Sequence, residues 1–265
     1  MSVSSAAVKE TAKERLKNSY LKTFVASLVF IFAGLIILNV GSILSDVTGD
    51  IIAIVFSACL TVLLIAPLGL GLLKYIWKVS LGVADGPIAV FYWFSNKKLY
   101  VKSLKFILHY VSKLLIWLIV LNIPSFLLFA FSKTFFFELF NIAPPVWTAS
   151  LDYYSVILRN ISFVGVFFIM LKYYMAPVLF IADENANALE CMYNSSVISR
   201  KTSYDFISLI FNQAHIILLT LLLLPMPFTL PYLLSYYVTH TRFAVEEYNL
   251  HIKNIKFANA GVFNE

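Results

Sequence analysis

Long apolar runs alternate with short basic stretches along this chain. A transmembrane helix needs about 20 mostly apolar residues to cross a hydrocarbon core of roughly 30 Å. By that measure six runs qualify: 22–44, 51–77, 106–132, 156–182, 206–224 and 228–245. The sixth carries Tyr232, Tyr236, Tyr237, Thr239, His240 and Thr241, a set that suits a helix inside a bundle better than one facing lipid all round.

The segments between the runs are patterned too. In 6–20, Ala7, Val8, Ala12, Leu16 and Tyr20 recur on one side of a helix and Lys9, Glu10, Lys13, Glu14 and Lys17 on the other. Residues 86–94 end in Phe91-Tyr-Trp-Phe and are followed by Lys97, Lys98 and Lys102; rings that bury and ammonium groups that stay wet suit the headgroup boundary. A third stretch, 186–199, places Ala188, Leu189, Met192 and Val197 at helical spacing. These short helices either seal the base of a bundle or sense lipid and dock a partner. Residues 134–154, with Pro144, Pro145 and Trp147, read as an interfacial loop on the opposite side. The expected fold class is all-α: a polytopic membrane protein, one six-helix transmembrane bundle over 1–265 with short amphipathic interfacial helices, 1–21 before the first span and 246–265 as a tail.

Composition supports this class. Hydrophobic residues make up 60% of the 265, charged residues 13%, and the mean hydropathy is +0.84, too little polar surface to wrap soluble domains of this length. A soluble enzyme, a secreted disulfide scaffold and a nucleic-acid module are excluded. The net charge of +6 reads as flanking charge that sets topology and meets anionic lipid headgroups. Lys9, Lys13, Arg15, Lys17 and Lys22 lie before the first span, and Lys74, Lys78, Lys97, Lys98, Lys102 and Lys105 flank the second connection. Arg200, Lys201, Arg242, Lys253 and Lys256 fall on the same side, whereas 45–50 holds two aspartates and no cation, and the third connection holds Lys133 with Arg159 at its edge. Both termini are expected in the cytoplasm of a cell-membrane protein, with the first span retained and not cleaved as a signal peptide. Cys59 and Cys191 are expected to be free thiols.

Each even-numbered span contains a proline: Pro67, Pro177 and Pro231. A proline frees a carbonyl that neighbouring polar groups must satisfy, so kinks are expected near Pro67 and Pro177, with Pro231 beginning its helix.

A series of short motifs runs through nearly the whole chain in order. It comprises Val8-Lys-Glu-Thr-Ala-Lys-Glu-Arg-Leu-Lys-Asn, Ala66-Pro-Leu-Gly-Leu-Gly-Leu, Phe91-Tyr-Trp-Phe, Tyr173-Tyr-Met-Ala-Pro with Ala182-Asp183, then Ser195 to Arg200 and Pro231-Tyr232. This series resembles the bacterial integral membrane family catalogued as domain of unknown function 975, itself similar to the membrane segment of some glycerophosphodiester phosphodiesterases. Thr202 and Ser203 stand where that family tends to carry a glycine, and His215 where it tends to carry a tryptophan. The resemblance implies a six-helix bacterial bundle and carries across no catalytic residue.

Ionisable groups inside a membrane are candidate sites because each costs a few kcal/mol near the bilayer centre. Lys113 in the third span and Lys172 in the fourth fall in the inner leaflet, with Tyr173 beside Lys172; Asn212, Gln213 and His215 lie in the fifth span, Tyr236, Tyr237 and His240 in the sixth. Two readings stand. In one, the lysines snorkel to the headgroups and the other groups make interhelical hydrogen bonds. In the other, Lys172, Lys113, Tyr173, Asn212, His215, Tyr236 and His240 line a cationic ligand-binding cavity, entered past Lys74, His109 and Arg242. Metalloprotease, phosphate-loop and serine-hydrolase motifs are absent, as is any Cys/His set at metal-ligand spacing. No catalytic residue, metal or cofactor is expected. The acidic group Asp183, Glu184 and Glu190 is explained by helix capping as well as by cation binding. The expected role is a non-enzymatic bundle binding a lipid or a membrane protein or peptide partner in an envelope, export or stress process; the alternative is a small transporter or lipid-handling protein.

Overall fold

The computed structural model describes residues 4–83, 85–132, 148–183, 185–222 and 224–262. Most of the predicted interfacial loop at 134–154, with Pro144, Pro145 and Trp147, lies outside them, as do Lys133 and Glu184. The elements are α1 (Ser5–Lys17), α2 (Tyr20–Thr48), α3 (Asp50–Leu60), α4 (Ala66–Ser80), a 3-10 segment (Pro87–Phe94), α5 (Lys97–Ser132), α6 (Thr148–Met170), α7 (Ala176–Ala182), α8 (Ala188–Asn212), α9 (Ala214–Thr220) and α10 (Met226–Val262). No strand occurs among the described residues.

Among the described residues, four helical stretches are long and apolar enough to cross a membrane: Tyr20–Asp46, Asp50–Ser80, Lys97–Phe131 and Tyr153–Ala182. They coincide with the first four predicted spans. Two of them change register where a proline follows. A π-helical turn at Thr61–Ile65 precedes Pro67, and a 3-10 turn at Leu171–Tyr173 precedes Pro177. The second break is satisfied by α8: Ser195 Oγ accepts from the Met175 N–H (3.2 Å) and donates to the Lys172 carbonyl (3.0 Å), which also accepts from Ser199 (3.1 Å).

The last two predicted spans are helical but divided differently. Nothing between 199 and 206 stops a helix, so the third amphipathic stretch and the start of the fifth run form one rod, α8. It ends at Asn212, where Gln213 leaves the helical region at φ −107 and ψ 8, and a second break separates α9 from α10. Pro231 does not begin its helix: α10 starts at Met226 and Pro231 lies inside it, as Pro124 lies inside α5.

Two apolar hairpins leave a packed base. In the first, α2 turns at Gly49 (φ +88) into α3, and Phe30 packs over Gly69. In the second, α5 and α6 are joined by Ser162 donating to the Leu121 carbonyl and Ser125 to that of Ser155, each 2.7 Å. Their outer faces, including Ile36, Leu38, Ile54, Ile119, Phe163 and Phe168, are exposed, as lipid contact requires. The base is built from three buried clusters. Trp93, Phe106 and Phe180 anchor one, with ring centroids 5.1 and 4.2 Å apart about Phe180, stacking worth about 0.5–1.5 kcal/mol per pair. Val8, Ala12, Met175 and Ala244 belong to the second; Leu72, Tyr75, Val90 and Val238 belong to the third. The 3-10 segment packs one side into the base, with Val90 and Trp93 buried, and leaves Ile88 and Phe91 exposed. Gly71 makes this possible, because a Cβ there would overlap the Val90 carbonyl.

The turn between α9 and α10 lies at the Tyr20 end of α2. Tyr20 donates to the Phe228 carbonyl (3.2 Å), and the Phe24–Phe228 and Tyr20–Tyr232 ring centroids are 4.9 and 5.4 Å apart. Beyond Phe24, α2 continues to Thr48, about 36 Å at ~1.5 Å per residue.

Candidate functional site

Helix α1 is a lid on one side of the base. Its i, i+4 series Val8, Ala12 and Leu16 is buried against the bundle, and α10 runs along it, Ser235 donating to the Ala12 carbonyl at 3.5 Å. Lys9 reaches the last carbonyl of α8, at Asn212 (3.5 Å), and Asn212 Nδ2 donates to Ser5 Oγ (3.1 Å). A cation there complements the negative end of the helix. The ends of α1 and α8 are fastened together by residues 203 to 207 positions apart in sequence.

Docking α1 this way turns Lys13 and Lys17 toward a cleft. They lie one turn apart on α1, and with Tyr20, Ile216, Tyr232 and Tyr236 they line a cavity of about 620 Å³. Both lysines are exposed, and neither makes an ion pair among the described residues. The three tyrosines form a column, with centroids 5.4 Å apart for Tyr20–Tyr232 and 6.5 Å for Tyr232–Tyr236. Tyr236 also lines a second cavity of about 260 Å³, whose other walls include Phe206, Leu209, Ile217, Leu230 and Leu234. A basic, phenol-lined chamber thus meets an apolar slot at one residue. Such a pair can hold an amphiphilic anion, its charge against two ammonium groups and its chain against leucine side chains.

The residues predicted for a cationic cavity are not gathered into one. Lys172, Lys113, Asn212 and His215 are all exposed. The register of α5 against α6 sets Leu121 opposite Ser162, which brings Lys113 and Lys172 to within about a turn of the same level, with Arg159 about 20 Å further along α6. These cations bracket an apolar stretch of helix, so each can reach the headgroups nearest to it. Tyr173 is half-buried at the rim of the Trp93 cluster. The helix break at Gln213 falls between Asn212 and His215, ending the single face they were predicted to share.

Tyr236 and His240 are buried in the base. His240 lies among aromatic rings, 5.5 Å from Phe206 and 6.0 Å from Tyr174 between centroids, and neither ring nitrogen has a hydrogen-bond partner among the described residues. The predicted entrance residues are dispersed as well. Lys74 is buried with Nζ 3.4 Å from the centre of the Tyr92 ring, Arg242 donates to the Ser80 carbonyl (2.6 Å) and pairs with Glu246, and His109 bonds the Lys105 carbonyl on the exposed side of α5. Among the described residues no group of His, Cys, Asp or Glu could hold a metal ion. Cys191, free as predicted, is buried in the base, and burial pushes its thiol up to about 11, with Glu190 adding to the shift.

Sequence reasoning missed Lys13, Lys17, Tyr20 and Tyr232 as one site. The signal present was the i, i+4 lysine pair ending one turn before Tyr20; its tyrosine partners stand more than two hundred residues away. No protein-family model, curated protein or solved structure matches the chain.

Proposed function

We propose that this is a non-enzymatic multi-pass cell-membrane protein whose base binds the anionic headgroup of an inner-leaflet lipid. The observation that carries this reading is the cleft: two lysines one turn apart on α1, without an ion pair among the described residues, three tyrosines beneath them, and an apolar slot continuing from Tyr236. Phenol and ammonium donors suit a phosphate or carboxylate oxygen, and the slot suits an acyl chain.

The distribution of Lys and Arg supports a cytoplasmic location for α1 and the C-terminal part of α10. That assignment is the same for four crossings as for the six expected from the sequence, because both numbers are even. The resemblance to the bacterial membrane family rests on the sequence motifs alone and adds no substrate. The transport alternative needs an inner-leaflet cationic cavity; the cleft supplies one, with Lys13 and Lys17 in the place assigned to Lys172.

The test is native mass spectrometry of protein extracted with its lipids, comparing wild type, Lys13→Ser/Lys17→Ser and Lys172→Leu. The expected result is an anionic phospholipid adduct on wild type and Lys172→Leu, reduced about tenfold in the double variant, a loss of about 1.4 kcal/mol. Equal retention by all three contradicts the cleft; loss in Lys172→Leu alone moves the site to Lys172.

A further inference from the structure

The α9–α10 turn is apolar and exposed. Leu218, Leu221, Leu222 and Leu224 are 65%, 77%, 59% and 88% exposed, beside Phe228 at 54%. Between 214 and 234 there is no Lys, Arg, Asp or Glu. A cluster of this kind left in water is a liability; against acyl chains it is at rest. Its depth is fixed by α2. The turn touches Tyr20 and Phe24, and Leu230 and Leu234 pack with Phe30 against the third cluster. Phe24 lies about 6 Å along α2 from Tyr20, within the half of the ~30 Å core nearest the base.

Among the described residues, polar groups of the turn pair with one another, as hydrocarbon demands. Thr220 donates to Thr229 Oγ1 (2.7 Å), and Thr229 donates to the Pro225 carbonyl (3.1 Å). The Met226 and Phe228 N–H groups donate to the carbonyls of Leu222 (3.1 Å) and Pro225 (3.0 Å). Lys13, Lys17 and Lys22 stand near the Tyr20 end of α2, where headgroups belong.

We propose that α9 and the first turns of α10 form a re-entrant wedge that enters the cytoplasmic leaflet and turns back inside it, its leucine tip covered by acyl chains. The wedge stands on the packing of the turn against α2 and is independent of whether the lysine cleft holds a lipid.

Single-cysteine variants Leu222→Cys and Leu224→Cys, made in the full chain with Cys59→Ser and Cys191→Ala, test it. Ser45→Cys marks the outer turn and Ser95→Cys the base. Nitroxide-labelled protein is reconstituted in phosphatidylcholine/phosphatidylglycerol vesicles, and accessibility to oxygen and to a polar nickel chelate is measured by power saturation; intact cells are treated in parallel with an impermeant maleimide. The expected result is high oxygen and low chelate accessibility at both tip sites, and maleimide labelling of Ser45→Cys alone. Three results overturn the proposal: labelling of the tip on intact cells to the extent of Ser45→Cys, which means the hairpin crosses; chelate accessibility equal to that of Ser95→Cys, which puts the tip in water; or low accessibility to both probes, which means protein covers it.

Discussion

Two helical hairpins meet at Phe24 and part there. One, α2 with α3 and α4, continues about 36 Å past that ring to its turn at Gly49; the other, α9 with α10, turns within contact of the same ring. Both are leucine- and isoleucine-rich and both expose apolar faces. What separates them is continuity. The first runs helical from Asp50 through its π-helical turn into α4, and the Leu63 carbonyl at that turn, facing the N–H that Pro67 lacks, accepts from Tyr100 (3.0 Å). The last is interrupted at Gln213 and again before Met226, leaving α9 only 7 residues long, about 10 Å of helix. Apolar composition decides that a segment enters lipid; unbroken length decides how far.

The difference can be broken most severely at the base end of the first hairpin. Gly71→Ala places a methyl group on the Val90 carbonyl, a backbone atom that cannot move aside. It is expected to destabilise the base by about 3 kcal/mol, the upper range for overpacking, read as a fall in thermal midpoint in detergent. Gly34→Ala, at a position with open space in α2, is expected to leave that midpoint unchanged or raise it slightly. A smaller and sharper test places an arginine on each hairpin. Ile36→Arg sits near the middle of α2 and is expected to cost about 3 kcal/mol, whereas at Leu222 the guanidinium can reach the near headgroups and the expected cost is about 1 kcal/mol. Unfolding in nanodiscs compares the two, and equal costs would mean equal depths.

The smallest effect concerns the base that holds both hairpins. Because burial raises the Cys191 thiol to about 11 from an ordinary 9.0, the protonated form favours the fold. That stabilisation is complete below pH 9.0 and is lost as pH rises toward 11. The unfolding midpoint of wild type is therefore expected to fall more between pH 8 and pH 10.5 than that of Cys191→Ala; parallel pH curves for the two proteins would show that this thiol is not buried.

Much of this was legible in the chain. The first four spans follow from uninterrupted apolar runs, the buried stripe Val8, Ala12 and Leu16 follows from helical spacing, and the irregular turns follow from Pro67 and Pro177. The continuity of α8 was not, because charged residues at Arg200 and Lys201 suggest a loop although they are good helix formers. Lys172 was assigned to a cavity because a helix apolar on all sides does not reveal which face meets lipid; the structure turns it outward. The cleft depends on contacts between α1 and α10, and no local pattern encodes a pairing over that separation.

The most direct test of the central claim is a distance. Spin labels at Leu222 and Ser45, measured by double electron–electron resonance in a bilayer, report whether the two turns lie at opposite ends of α2. Turns placed as described are expected to be about 25–30 Å apart; a distribution centred below about 15 Å would put both turns at the same membrane face and contradict the account.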